Sequence, residues 1–122
     1  MGEPLVIRVQ EVVGSDICVA SDDGQRLHKL IAAALREGRD VRLSFLNVTS
    51  LTSAFLNAAV GQLYGEFSEE QVRKSLSVCD MDQDDVALLK RVVETAKEYF
   101  RDPAQFREAH REVIGEGDGD GE

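Results

Sequence analysis

Thr49, Ser50, Thr52 and Ser53 place four hydroxyls within five residues, between a stretch that alternates like a strand and one that repeats like a helix. A hydroxyl at such a junction has two uses. It can accept a bond from the free N–H groups of a helix start, or it can meet an anion drawn to the positive end of the helix dipole. The chemistry on offer is recognition: a cap, a phosphate contact, a hydrogen bond to a partner, or esterification by a kinase, for which Ser53 and Thr52 are the candidate phosphoacceptors. Phe55, Leu56 and Val60 follow on the helix and add apolar contact to a partner wherever they are left unburied.

Other reactive residue types do not assemble into a catalytic pattern. His28 and His110 are far apart in sequence and have no Cys, Ser or Asp arranged with them as a dyad or triad, so both are expected at the surface. No glycine-rich phosphate loop, GxSxG elbow or HExxH motif occurs. Asp80, Asp82, Asp84 and Asp85 crowd the start of what reads as the longest helix, where they suit the dipole better than a magnesium ion. Cys18 and Cys79 sit in apolar, strand-like stretches without His or Cys at ligand spacing and are expected as buried free thiols. The expectation is a protein without catalytic residues, metal or cofactor.

The elements that must position the hydroxyls are legible from periodicity. Val41, Leu43 and Phe45 alternate with Arg42, Ser44 and Leu46, which predicts a strand over 41–48 with one buried face, a turn at 49–52 and a helix over about 53–65. Upstream, the β-branched run Leu5–Val13 and the run Ile17–Ala20 flank Gly14, Ser15 and Asp16, which predicts a β-hairpin. Ser21, Asp22 and Asp23 offer caps and early negative charge to a helix with Leu27, Leu30, Ile31, Ala34 and Leu35 on its apolar stripe and Gly38 at its end. Downstream, Ser68 to Gln71 reads as a capping box before a strand over 74–79. A long helix over 83–100 turns Val86, Leu89, Val92 or Val93, Ala96 and Tyr99 or Phe100 inward, and Pro103 opens a last helix over 104–114. The order β-β-α-β-α-β-α-α implies one mixed four-stranded sheet covered by helices, an α/β fold in a single domain over 1–114.

Composition bounds the partners. At 122 residues and 43% hydrophobic, the chain suffices for one core. Its formal charge of −9 argues against nucleic acid, whose phosphates call for clustered Lys and Arg. The segment Gly115–Glu122 alternates glycine with four carboxylates, which predicts a disordered acidic tail. No apolar run approaches the roughly 18–20 residues that span a bilayer, and the first residues lack a basic signal-peptide region, so a cytoplasmic protein without membrane contact is expected.

The strand, hydroxyl turn and small-residue helix around Leu51–Asn57 resemble the STAS domain of bacterial anti-sigma-factor antagonists. They are closer still to the STAS-like domain family of unknown function (DUF4325), whose pattern is a strand of type Val-x-Leu-Asp-Phe-x-x-Val, then Ile-Ser-Ser-Ser-Phe, then a helix to Gly-x-Leu-Tyr. Val41, Leu43, Phe45 and Val48 match the strand, Leu51, Thr52, Ser53 and Phe55 the turn, and Gly61, Leu63 and Tyr64 the helix. Ser44 stands where the pattern has Asp; with Leu51 matched to the Ile of the pattern, Ala54 stands where the antagonists carry their phosphorylated Ser, and a one-residue slip puts Ser53 there instead. The resemblance implies a STAS-like fold and a non-catalytic signalling module. Its partner would be an ATP-binding, histidine-kinase-like or anti-sigma protein meeting Thr49, Ser50, Thr52, Ser53, Phe55, Leu56 and Val60. The rival expectations are a small-anion or nucleotide site at the helix start near 52–55 and a structural subunit that forms a homodimer.

Overall fold

The computed structural model of the chain describes residues 3–101; the expected helix over 104–114, with His110, and the expected tail over 115–122 lie outside them. In chain order the elements are β1 (Leu5–Arg8), α1 (Val9–Val13), β2 (Ile17–Cys18), α2 (Ser21–Arg36), β3 (Val41–Ser44), β4 (Ser50–Leu51), α3 (Ser53–Ala59), a 3-10 helix (Gly61–Gly65), α4 (Glu69–Ser75), β5 (Leu76–Cys79) and α5 (Gln83–Arg101). The fold is α/β, as expected, but its strands form two parallel sheets in place of one mixed four-stranded sheet. One has the order β1-β3-β5 and the other pairs β2 with β4. Each pairing joins strands separated by a helical crossover long enough to bring the chain back in the same direction, which is what a parallel pair requires.

The expected hairpin does not form. Only Leu5–Arg8 is extended, and Val9–Val13 is helical. Val9, Val12 and Val13 stand at helical spacing, and seating Val9 fully in the core outweighs a β-propensity scale that spans only about 1 kcal/mol. Gly14, in the left-handed region at φ 82°, closes this short helix with its N–H on the Gln10 carbonyl at 2.8 Å. Arg26 donates to the freed Val12 and Val13 carbonyls at 3.1 and 3.4 Å and pairs with Asp23.

Register explains the sheet's two faces. Leu5, Val41 and Leu76 align, as do Ile7, Leu43 and Val78, and this face enters the core. On the other face Val6 (51% exposed), Arg42 and Ser77 align and are exposed. The alternation expected of β3 holds for Val41, Leu43 and Phe45, which are buried, and for Arg42 and Leu46, which are exposed; Ser44, expected outside, is buried because its hydroxyl turns to Asp80. The strand ends at Ser44, and a turn with Asn47 at φ 65° leads on, its Val48 N–H meeting the Phe45 carbonyl at 3.1 Å.

Leu27, Ile31 and Leu35 of α2 join Phe55, Leu56 and Leu63 over the buried sheet face, each of these side chains supplying roughly 1.5–3 kcal/mol of burial. α2 begins without a side-chain cap, so Asp22 and Asp23 contribute early charge, but neither they nor Ser21 make the expected capping bond. Its end is as expected, with Gly38 at φ 78° and the Arg39 N–H on the Ala34 carbonyl at 3.0 Å. Gly24 sets the distance between α2 and α3: a Cβ there would lie 2.6 Å from the Phe55 carbonyl oxygen and 2.8 Å from the Ala58 Cβ. Gly65 does the same for α5, and Gly61 makes room for the Asn57 side chain. A Cβ on Gly65 would lie 2.6 Å from the Phe100 ring, and one on Gly61 would meet the Asn57 side chain and come within 3.5 Å of the Ala96 Cβ.

His28 is not at the surface. Its side chain is 15% exposed, with Nδ1 3.3 Å from the Ala59 carbonyl oxygen and Nε2 2.9 Å from Glu66 Oε2, while Arg36 donates to Glu66 Oε1 at 2.7 Å. Hydrogen bonding from His28, then the charges of His28 and Arg36, hold the Glu66 carboxyl below the usual carboxylate range. The cluster ties α2 to the segment between the 3-10 helix and α4.

Two outcomes are expected. Gly24→Ala should destabilise the protein by about 1–3 kcal/mol through overpacking, read as a lower urea midpoint at unchanged slope. Glu66→Gln should cost about 0.5–1 kcal/mol at pH 6, small because the carboxylate is partly solvated. A lowered folded pKa contributes stability above the unfolded value and loses it as pH falls through the folded one, so this deficit should shrink steadily as parallel urea titrations are taken down through the acid range.

Candidate functional site

The four hydroxyls separate into two kinds. Thr49 Oγ1 donates to Asp16 Oδ2 at 2.7 Å, and Thr52 Oγ1 donates to the Val19 carbonyl at 3.0 Å, so both threonines fasten β4 to the β2 segment. Thr52 also caps α3, accepting the Phe55 N–H at 3.2 Å, the capping role the sequence suggested. The hydroxyls of Ser50 and Ser53 are exposed and have no hydrogen-bond partner among the described residues. Thr49 and Thr52 are thus committed to the fold, and Ser50 and Ser53 are open.

The apolar part of the expected contact set lies elsewhere than on the surface. Phe55, Leu56 and Val60 are buried in the core, because α3 presents them to α2 and the sheet. They hold the site in place and are not available to a docking partner. What α3 shows outward is Ser53, Ala54 and Asn57. These line a cavity of about 650 Å³ whose other wall is Leu88, Arg91, Val92 and Thr95 of α5. Asn57 and Thr95 are shared with a second cavity of about 340 Å³, lined further by Gln62, Ala96, Tyr99 and Phe100. Together they make one groove along α3 and α5.

Neither wall of this groove carries a carboxylate, and its one formal charge is Arg91, which is exposed and has no ion pair among the described residues. The nearest acid along the helix, Glu94, faces Lys97 at 3.8 Å. The α5 residues were not foreseen as a site. The signal was present, since Leu88, Arg91 and Thr95 form an i, i+3, i+7 line beside the inward stripe, but nothing in one helix says which neighbour will face that line.

A second polar cluster sits at the carboxyl ends of β3 and β5. Ser44, only 6% exposed, donates to Asp80 Oδ2 at 2.7 Å and accepts the Leu46 N–H at 3.4 Å, and the Cys79 thiol donates to the same Asp80 oxygen at 3.4 Å. The bond from Ser44, then that from Cys79, hold the Asp80 carboxyl below its usual range, which makes it a poor base. Cys79, half-buried, has its thiol pushed up by desolvation and by Asp80; Cys18, fully buried, is pushed up to about 11 by burial, then by Asp23 and Asp16. Neither thiol is primed as a nucleophile. Asp82 caps α5, its Oδ1 accepting the Asp85 N–H at 2.9 Å, and among the described residues no three His, Cys, Asp or Glu side chains are grouped to hold a metal ion.

A family model described as a STAS-like domain of unknown function (DUF4325) matches residues 23–86. The chain belongs to this STAS-like family. The match runs from the first turn of α2 into α5 and so takes in the strand, the hydroxyl turn and α3, whereas Leu88, Arg91 and Thr95 of the facing wall lie beyond it. No curated protein and no solved structure matches the chain. In this STAS-like domain Asp80 brings a carboxylate to the end of β3, where Ser44 donates to it. Among the described residues no helix is long and apolar enough to cross a membrane.

The unequal roles of the hydroxyls can be measured. Thr52→Ala should lose about 1–2 kcal/mol through the vanished cap and the freed Val19 carbonyl. Ser53→Ala should stay within about 0.5 kcal/mol of the parent. Chemical denaturation of both variants checks the contrast.

Proposed function

We propose that this STAS-like domain is a non-catalytic regulatory module that binds a partner protein along the α3–α5 groove, with Ser53 at the rim. The supporting observation is that Ser53, with a free hydroxyl, shares a cavity with Arg91, which has no ion pair among the described residues, while Thr49, Thr52, Ser44, Cys79 and Asp80 are engaged within the fold and Asp82 caps α5. Family kinship makes an ATP-binding, histidine-kinase-like or anti-sigma protein the first partner to try. Ser53, open to solvent, is also the better phosphoacceptor of the two hydroxyls considered, because the Thr52 oxygen already serves α3 and Val19. A phosphate there would bring about two negative charges beside Arg91 and compete with the partner for it.

One observation supports the anion-binding alternative: Arg91 and the Ser53 hydroxyl could together hold a small anion. A thermal-shift series with phosphate and nucleotides reads this directly, since a ligand selective for the folded state raises its melting temperature.

For the leading reading, affinity capture from the source cells with the intact chain should recover a partner that Ala54→Arg, which fills the groove, reduces at least tenfold, while the exposed control Lys29→Ala does not. Ser53→Asp should weaken the same interaction. Equal recovery with parent and Ala54→Arg would refute the groove as the contact.

A further inference from the structure

Resting on the docking reading above, we propose that the occupant of the α3–α5 groove is an acidic segment of the partner, with an apolar side chain seated at the Phe100 end and a carboxylate held by Arg91.

Charge complementarity carries the choice. In a chain of formal charge −9, the eleven residues along the groove include no acid and one arginine. Four arginines of the described fold are paired, Arg8 with Glu11, Arg26 with Asp23, Arg36 with Glu66 and Arg101 with Glu69; Arg39, Arg42 and Arg73, like Arg91, have no ion pair among the described residues, but none of those three lines the groove. Arg91 faces Ala54, Leu88 and Thr95 instead, and a guanidinium left so is a ready bidentate donor to a carboxylate. The floor selects further. Leu88, Val92, Ala96 and Phe100 offer apolar surface, while Ser53, Asn57 and Thr95 offer hydrogen bonds to a peptide backbone or side chain. A single cation matches one carboxylate on an apolar segment and falls short of a polyphosphate, which needs several cations or a cradle of backbone N–H groups.

The groove also sets a length. Arg91 and Phe100 are nine residues apart on α5, about 13 Å along its axis. An extended peptide covers that span in about four residues.

A blocked tetrapeptide, acetyl-Phe-Ala-Ala-Glu-amide, is therefore the probe. Titrated into the isotopically labelled full chain and followed by two-dimensional NMR, it should shift the amides of Ser53, Asn57, Arg91 and Thr95 with a dissociation constant in the millimolar range. The affinity should fall at least fivefold when its Glu is replaced by Gln, and equally with Arg91→Gln, whose preserved spectrum would show that the fold is intact. Ala54→Arg should abolish the shifts. Glu and Gln peptides binding alike, with Arg91→Gln silent and Ala54→Arg still blocking, would overturn the acidic occupant and leave the groove as a docking surface. Inorganic phosphate shifting the same amides at equal concentration would overturn it in favour of a free-anion site. No shift with either peptide would overturn it too, while partner capture with Ala54→Arg would still decide the docking reading on its own.

Discussion

The close approach of α2 to α3 is the constraint from which the remaining geometry follows. Gly24 leaves no Cβ between the helices, so the α2 backbone rests against the Phe55 carbonyl and Ala58, and Leu27, Ile31, Phe55 and Leu56 close over the buried face of β3. With those side chains pointing inward, helical geometry leaves Ser53, Ala54 and Asn57 on the outside. α5 then closes against α3 and the 3-10 helix that follows it, where Gly65 has no side chain to displace the Phe100 ring. The groove is what remains between two helices brought together by small residues and kept apart by polar ones.

Polar groups in this molecule are divided between holding and offering. Thr49 and Thr52 hold, tying a two-residue strand to its equally short neighbour where backbone pairing alone would be marginal. Ser44 and Asp80 hold as well, closing the ends of β3 and β5 with a hydroxyl buried against a carboxylate. His28 holds the end of α3 to α2 through the Ala59 carbonyl, and Glu66, bound by His28 and Arg36, fastens the segment after the 3-10 helix to the same helix. What is offered is small by comparison: the Ser53 hydroxyl, the Asn57 amide and the Arg91 guanidinium, gathered on one groove. Function in this STAS-like domain is proposed where the fold has left such groups unanswered.

Much was determined by sequence alone. The strand beginning at Val41, the capped helix start at Thr52, the Gly38 stop and the inward stripe of α5 each depend on neighbours a few residues away, and period two, period 3.6 and capping chemistry report such local relations faithfully, though the strand expected over 41–48 ends at Ser44. Family membership also rests on this level, on the strand, turn and helix matched within residues 23–86. Tertiary structure decided the rest. It turned Val9–Val13 into a helix because burying Val9 outweighs β-propensity, and it made both sheets parallel because strand partners are chosen across crossovers. It drew His28 inward through groups 31 and 38 residues away. It also withdrew Phe55, Leu56 and Val60 from the candidate surface and set Arg91 opposite Ser53. A helix's own sequence says which side is apolar, and only packing against a second helix says what that side meets.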